Sequence, residues 1–270
     1  MNVMGNGPSC VNGSGVSAVL ISFNEARRIG PCLDSLRWAD EVVVVDSGSS
    51  DATREIARRY TDRVFDIPWK GFGLQKQAAV DLASQRWIFN VDCDERVTED
   101  LAAEIRNIVG LDGGPAAWSV PRKTYIGGKW IRHAGWYPDR TVRLFEKTKG
   151  RFSSSLVHER VVVDGEIGRC AGHLLHRSFE GVPDLFRKIP PYSEASARQM
   201  FEQGRRCGSL DLLLRPAFAF FRSYLWNLGL LDGLEGFAIG VSTFTSVFCK
   251  YAKLRELRTV ERGEGTDGRG

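Results

Sequence analysis

With 270 residues, 43% of them apolar and 26% charged, the chain has the composition of a globular protein with one large domain, or a domain and an appendage. Its net charge of +4 is small and dispersed, and no zinc-finger, helix-turn-helix or RNP-like pattern accompanies it, which excludes nucleic acid as a partner. Six scattered cysteines without a C-x-x-C pair read as reduced thiols of a cytosolic protein rather than a disulfide frame.

Residues 1–15 lack the basic and apolar regions of a signal peptide and read as a flexible tail. Ser17–Phe23 (SAVLISF) suits a strand buried on both faces and leads into Asn24-Glu25. Ile29, Cys32, Leu33 and Leu36 follow at helical spacing. Glu41–Asp46 (EVVVVD) is a second buried strand, stopped by SGSSD, where Asp51 is the expected cap of the next helix. A third strand fits Arg63–Ile67 and a helix fits Gln75–Ser84. The fourth strand, Arg86–Asp92, runs straight into Asp92-Cys93-Asp94, and Thr98 opens a helix that buries Leu101, Ile105 and Ile108.

Side chains alternate along a strand, so Asp92 and Asp94 are expected on one face, just where the strand leaves the core. Paired carboxylates there suit a hard divalent cation, Mg²⁺ or Mn²⁺, which takes oxygen ligands and shares them with phosphates. An isolated D-x-D reads more readily as an acidic strand-to-helix loop with an N-cap; the elements before it reverse that and favour the metal. Four strand–helix units demand an α/β fold, a mostly parallel sheet with helices on both faces, whose ligands bind beyond the carboxyl ends of the strands. Asn24, Glu25, Asp46, Ser47, Ser49, Asp92 and Asp94 all fall at that edge. No G-x-G-x-x-G or P-loop follows a strand, so dinucleotide and P-loop readings lose support.

From Trp118 the pattern turns to less regular, antiparallel-looking strands: WSVPRKTYI, TVRLFEK and VHERVVV. Between the first two lies Gly127–Arg140 (GGKWIRHAGWYPDR), whose composition suits a mobile binding loop with aromatic platforms; rings packed on their own domain are the alternative. Cys170, His173 and His176 are spaced three apart, but Leu174-Leu175 between the histidines reads as strand or core, which disfavours zinc. No G-x-S-x-G elbow supports a hydrolase.

Beyond Pro190-Pro191 the chain becomes helical and apolar. Leu210–Leu231 is dense in Leu, Phe, Tyr and Trp, and Gly236–Cys249 runs 14 residues without a charge after Asp232 and Glu235, which are spaced as in a capping box. Neither run reaches the roughly 18–20 clean residues that span a bilayer. Between Pro183 and Arg258 stand eleven Lys/Arg against seven Asp/Glu; that excess of four equals the net charge of the whole chain, so the basic bias lies in the apolar appendage. Apolar plus basic points to an anionic membrane surface. The alternative is a helical cap packed on the catalytic domain or on a second copy of the chain, a homo-oligomer.

A first strand ending in FNEA, a second ending in VVDSGSSDAT and a strand running into D-x-D resemble the GT-A fold of family 2 glycosyltransferases. YPDRTVRLF, VHERV and LWNLGLLDGLEGF resemble, more narrowly, bacterial lipopolysaccharide-core β-1,4-glucosyltransferase-type enzymes, over about residues 16 to 256. The resemblance implies a GT-A domain over 16–182, a membrane-proximal helical region over 183–257 and a tail over 258–270. It implies inverting, metal-dependent transfer from a nucleoside diphosphate sugar, UDP-glucose or a related hexose, to a lipid-linked saccharide acceptor at the cytoplasmic face of the inner membrane. Asp46 would accept from the uracil or ribose, with Ser49 beside it at the strand edge. Ser22, Asn24 and Glu25 would line the base and ribose. Lys76 and Arg86 would lie near the diphosphate, and Asp94, with Asp92 beside it, would hold the metal. Glu159 is the first choice for the base and Asp139 the second, with His158 orienting Glu159 or contacting the diphosphate. Two other functions compete: a sugar nucleotidyltransferase, disfavoured because FNEARR replaces a G-x-G-x-R loop, and a membrane-docked nucleotide-binding scaffold, disfavoured by the intact carboxylate pair.

Overall fold

The computed structural model describes residues 15–111, 113–153 and 160–264, the last four as backbone only. They form two compact units, one comprising the chain up to Arg122 plus Asp139–His176, the other Lys123–Pro138 plus the chain from Arg177. The chain crosses into the second unit for the last time between His176 and Arg177. The Gly-, Trp- and His-rich stretch, expected within the first domain, belongs instead to the second unit.

In the first unit β1 (Val16–Ser22), α1 (Ile29–Asp34), β2 (Glu41–Asp46), α2 (Thr53–Ala57), β3 (Val64–Asp66), α3 (Phe72–Leu82) and β4 (Trp87–Asn90) alternate as the apolar runs predict. β1 lies between β2 and β4 and is parallel to both, and β3 extends the parallel set beyond β2. The short β5 (Glu95–Val97), α4 (Glu99–Val109), β6 (Ala117–Ile126), β7 (Lys129–Trp130) and β8 (Asp139–Glu146) follow. β8 inserts antiparallel between β4 and β6. Next come β9 (Gly150–Phe152) and β10 (Val161–Val163), which pair with each other, then β11 (Ile167–Arg169) and β12 (Leu174–Phe179). The parallel half and the antiparallel half thus meet at β4, the strand that leads into the D-x-D.

Period-two alternation builds two cores from one sheet. Ala18, Leu20, Val44 and Phe89 pack with Ile29 and Leu33 of α1 and with Leu101 and Ile105 of α4. Val19, Val43, Val45 and Ile88 pack on the opposite face with Ala79 and Val80 of α3. Thr98 caps α4 through its side chain, which accepts from the Leu101 N–H at 3.3 Å. Asp51 bonds the Thr53 N–H at 3.0 Å, although Ala52 occupies the cap position.

The second unit adds α5 (Val182–Arg187), α6 (Ile189–Glu202), α7 (Asp211–Phe221) and α8 (Gly233–Glu264). Asp232 does not close a capping box with Glu235. Its carboxylate accepts from the Arg132 and His133 N–H groups at 3.2 and 2.8 Å and faces His133 Nδ1 at 3.1 Å, while Glu235 pairs with Lys129 at 2.8 Å. Ile131, Ala134 and Trp136 pack with Ile239 and Leu185. The stretch expected to be a mobile loop is therefore tied down by one buried carboxylate and a small core. Helix α8 also continues to Glu264, into the segment from 258 that reads as tail, and Arg258 lies over the Phe201 ring at 4.2 Å and donates to the Phe201 carbonyl at 2.9 Å. Among the described residues, no helix is long and apolar enough to cross a membrane.

Candidate active site

The ends of β1 and β2 are stitched together by side chains that the sequence marks as ligand contacts. Asp46 is fully buried, and its carboxylate accepts from the Gly48 N–H (3.1 Å), the Ser49 N–H (2.7 Å), Ser22 Oγ (2.8 Å) and Ser49 Oγ (2.6 Å). A carboxylate has about four acceptor sites, and all are spent inside the protein. Asp46, Ser22 and Ser49 therefore bond to one another at this edge. Asn24 sits in the left-handed region (φ 54°), which Asn tolerates. Its N–H donates to Ser49 Oγ at 2.8 Å, and its Oδ1 accepts from the Ser50 N–H at 2.9 Å. That leaves its amide nitrogen at the exposed surface of this corner. Glu25 is anchored through its N–H to Thr53 Oγ1 at 2.7 Å and lies 3.5 Å from Arg28.

The D-x-D does not share a strand face. β4 ends at Asn90, and residues 92–95 form a turn in which the Glu95 N–H bonds the Asp92 carbonyl (2.9 Å) while Glu95 Oε2 accepts the Asp92 N–H (3.0 Å). This reciprocal pair throws the two aspartates in different directions. Asp92 turns onto Lys76 Nζ of α3 at 3.0 Å and a guanidinium nitrogen of Arg143 at 2.8 Å. Burial opposes its ionisation, but Arg143 and then Lys76 outweigh that and hold its carboxyl well below the usual carboxylate range. Arg143, on β8 and buried, also meets Glu95 at 2.5 Å and Asn90 at 2.9 Å. Its burial is likewise overcome, by Asp92 and Glu95, so it remains a cation. With both oxygens bound to cations, Asp92 is a poor metal ligand, contrary to the pairing expected from the motif.

Asp94 takes another environment. It faces His176 Nε2 of β12 at 3.4 Å, both side chains being less than one-fifth exposed. An oxygen and an imidazole nitrogen at this separation fit a divalent cation. Among the described residues no group of three His, Cys, Asp or Glu side chains is placed to hold a metal. Lys76 joins this network through Asp92. Arg86 does not: it flanks the amino end of β4, away from the carboxyl ends of the parallel strands, and pairs with Glu146 at 3.4 Å. Asp139 is gripped by Arg122 through Nε at 3.0 Å and a second guanidinium nitrogen, and Arg122 also touches Glu95 at 3.4 Å. That fork occupies the carboxylate with two charge-assisted hydrogen bonds. Glu159 and His158 lie outside the described residues.

Sequence reasoning missed Arg143, Glu95, Arg122 and His176 as site residues. Arg143 carried a signal, being a lone charge inside the apolar run Val142–Phe145, where a buried cation needs partners. Cys32 and Cys93, beside this site, are no nucleophiles, since burial pushes both thiols up.

A family model, Glycosyl transferase family 2, matches residues 17–166. The lipopolysaccharide core biosynthesis glycosyltransferase LpsC of Rhizobium meliloti (strain 1021) is 32% identical over 93% of this chain and 96% of its own length. An uncharacterized glycosyltransferase of Rickettsia typhi is 26% identical over 92% of this chain and 89% of its own. Among solved structures, the mannosyltransferase of Pyrobaculum calidifontis with GDP-mannose and Mn²⁺ superimposes with a TM-score of 0.52 at 14% identity, covering 88% of this chain and 86% of that one, a likeness of fold. The fold is GT-A, and the model match spans the parallel strands and the turn that carries Asp94. This chain is a glycosyltransferase and belongs to glycosyl transferase family 2.

Proposed function

We propose that this glycosyltransferase carries out inverting, metal-dependent transfer of a hexose from a nucleoside diphosphate sugar, UDP-glucose or a close relative, to a lipid-anchored saccharide of the lipopolysaccharide core or a related envelope glycan. The observation that carries the reading is the Asp94–His176 pair beside the Lys76–Asp92–Arg143 network at the end of β4. When bound there by Asp94 and His176, Mg²⁺ or Mn²⁺ would neutralise charge on the departing diphosphate. Lys76 and Arg143 hold Asp92 in place and balance the charges of Asp92 and Glu95. Asn24 offers its amide to the nucleoside. Glu159 is the proposed base that takes the acceptor hydroxyl's proton, with His158 orienting it. The acceptor class rests on the name borne by LpsC. The test is release of UDP from a panel of UDP-sugars, with and without Mn²⁺ or Mg²⁺. Metal-stimulated release from at least one donor is expected; equal, metal-independent inertness toward all of them would remove the reading.

The second unit supplies the place of work. Leu213, Leu214, Phe218 and Phe221 of α7 are exposed, as are Leu225 and Trp226 just beyond, the last at 85%. Leu234, Phe237, Phe244 and Phe248 form a like stripe on α8, and Arg215 and Arg222 are exposed beside the α7 stripe. Such a face suits the headgroup boundary of an anionic bilayer, aromatic rings at the interface and cations among the phosphates. We expect the protein to sediment with phosphatidylglycerol-containing vesicles, in part reversibly with salt. Phe218→Ser/Phe221→Ser/Trp226→Ser should stay in the supernatant with an unchanged melting temperature. Sedimentation of both forms alike, or a concentration-dependent dimer that the triple change dissolves, would make the face a contact between chains.

A further inference from the structure

Within the second unit, Lys123 on β6, Arg132 just after β7 and Arg177 on β12 are cations that no carboxylate neutralises among the described residues. Tyr125 and Trp130 stand directly opposite each other in the β6–β7 ladder, so their side chains share a face. Lys123 Nζ lies 4.8 Å and the Arg132 guanidinium 4.4 Å from the centre of the Trp130 ring. The Arg177 guanidinium lies 5.5 Å from the centre of Tyr125, and Tyr137 meets Trp130 edge-on at 5.3 Å. Neighbouring charges in this unit behave differently. Lys129 is paired with Glu235, His133 with Asp232, and Arg187 with Asp184. Among the described residues, Lys123, Arg132 and Arg177 have no carboxylate within 4 Å; their close partners are rings.

A ring holds a cation in position without cancelling its charge, whereas a carboxylate would do both. Three cations fixed in this way over adjoining rings form a preorganised receptor for an anion. Arg132 and Arg177 are exposed, and Lys123, Tyr125, Trp130 and Tyr137 are half-buried, so the charges face solvent over a rigid base. A phospholipid would bring acyl chains, yet none of the large exposed hydrophobic residues lies in 117–138 or 174–179; they concentrate on α7 and α8. A hydrophilic anion therefore fits this face better than a lipid does.

We propose that this face binds an anionic saccharide, whose phosphate or carboxylate group is received by Lys123, Arg132 and Arg177. The proposal deepens the transferase reading, on which it rests, by giving the acceptor a chemical class: a sugar chain that carries acid groups.

The test uses the full chain and three probes in calorimetric titrations at low and high salt. They are lipid-free core oligosaccharide released from lipopolysaccharide by mild acid, the same material dephosphorylated and carboxyl-reduced, and phosphatidylglycerol vesicles. The acidic oligosaccharide should bind and the neutralised one should bind at least tenfold more weakly. Arg132→Gln and Arg177→Gln, both exposed positions, should each weaken the acidic oligosaccharide roughly tenfold at an unchanged melting temperature, with a shallower salt dependence. Lys123→Met should add to the loss. Equal affinity for the two oligosaccharides, no binding of either, or variants that lose only vesicle binding would each overturn the proposal. UDP-sugar hydrolysis by the unaltered chain, measured in parallel, reports on the transferase reading alone: charge-dependent oligosaccharide binding without metal-stimulated hydrolysis would leave this site standing and remove the donor chemistry.

Discussion

Asp94→Asn is expected to lower transfer by at least about 100-fold and to abolish metal-promoted binding of UDP. The turn at 92–95 holds three carboxylates, and two of them, Asp92 and Glu95, are committed to Arg143. Asp94 points instead to His176, at a spacing a cation can share. Asparagine keeps the shape of the turn and removes one unit of negative charge, so the loss reads the charge and not a collapse of the loop. Even a partner that only orients a metal ligand is worth about 10–100-fold in affinity or activity, and a ligand should exceed that. Calorimetry of UDP with and without Mn²⁺ gives a readout independent of turnover. Glu159→Gln should behave in the opposite way, keeping the Mn²⁺-dependent binding while transfer slows roughly 10²–10⁴-fold, the range for a lost general base. An Asp94→Asn protein that binds UDP with Mn²⁺ as the unaltered chain does would remove Asp94 from the metal. A near-normal Glu159→Gln protein beside an inactive Asp139→Asn one would move the base to Asp139 despite its Arg122 partner.

The fold was legible where local pattern decides it. SAVLISF, EVVVVD and WIFN are short, apolar and bounded by polar turns, and each became a buried parallel strand. Strand order was less accessible, because β8 pairs with β4 from more than fifty residues away and nothing local encodes that choice. The D-x-D was visible as a motif but misread as geometry. Period two holds only while a strand lasts; β4 ends at Asn90, and aspartates, themselves common turn residues, were read as ligands on a continuing strand. The strand-edge residues were correctly placed together, yet Ser22, Asp46 and Ser49 proved to bind one another; sequence gives position along an edge, not which donor reaches a carboxylate first. His176 was hidden for a similar reason. Its nearest neighbours in sequence hinted at zinc, while its partner Asp94 lies eighty-two residues earlier. The appendage read correctly as helical and apolar, but not the anchoring of Gly127–Arg140 by Asp232, which requires contacts across about a hundred residues.

Arg143→Met should destabilise the first unit by about 3–5 kcal/mol, the usual cost of removing one partner from a buried ion pair. Arg143 is about 5% exposed in its side chain and Glu95 wholly buried, so water cannot replace the lost cation. Lys76 would still meet Asp92, and Arg122 would still lie 3.4 Å from Glu95, which keeps the cost from rising further. The pH dependence gives a second signature. In the intact protein the Asp92 carboxyl is depressed, so its contribution is complete above the unfolded value near pH 3.9 and is lost as pH falls below that toward the folded value. Removing Arg143 removes the main cause of the depression. The acid-side loss should therefore shrink, and the deficit of the variant in urea midpoint should be larger at pH 7 than at pH 4, where protonation of the stranded carboxylates relieves it. Adding Glu95→Gln to Arg143→Met should recover part of the stability at pH 7, because the amide needs no countercharge. A deficit equal at both pH values, with no recovery in the double variant, would mean that Arg143 contributes through packing and that the carboxylates find sufficient charge elsewhere.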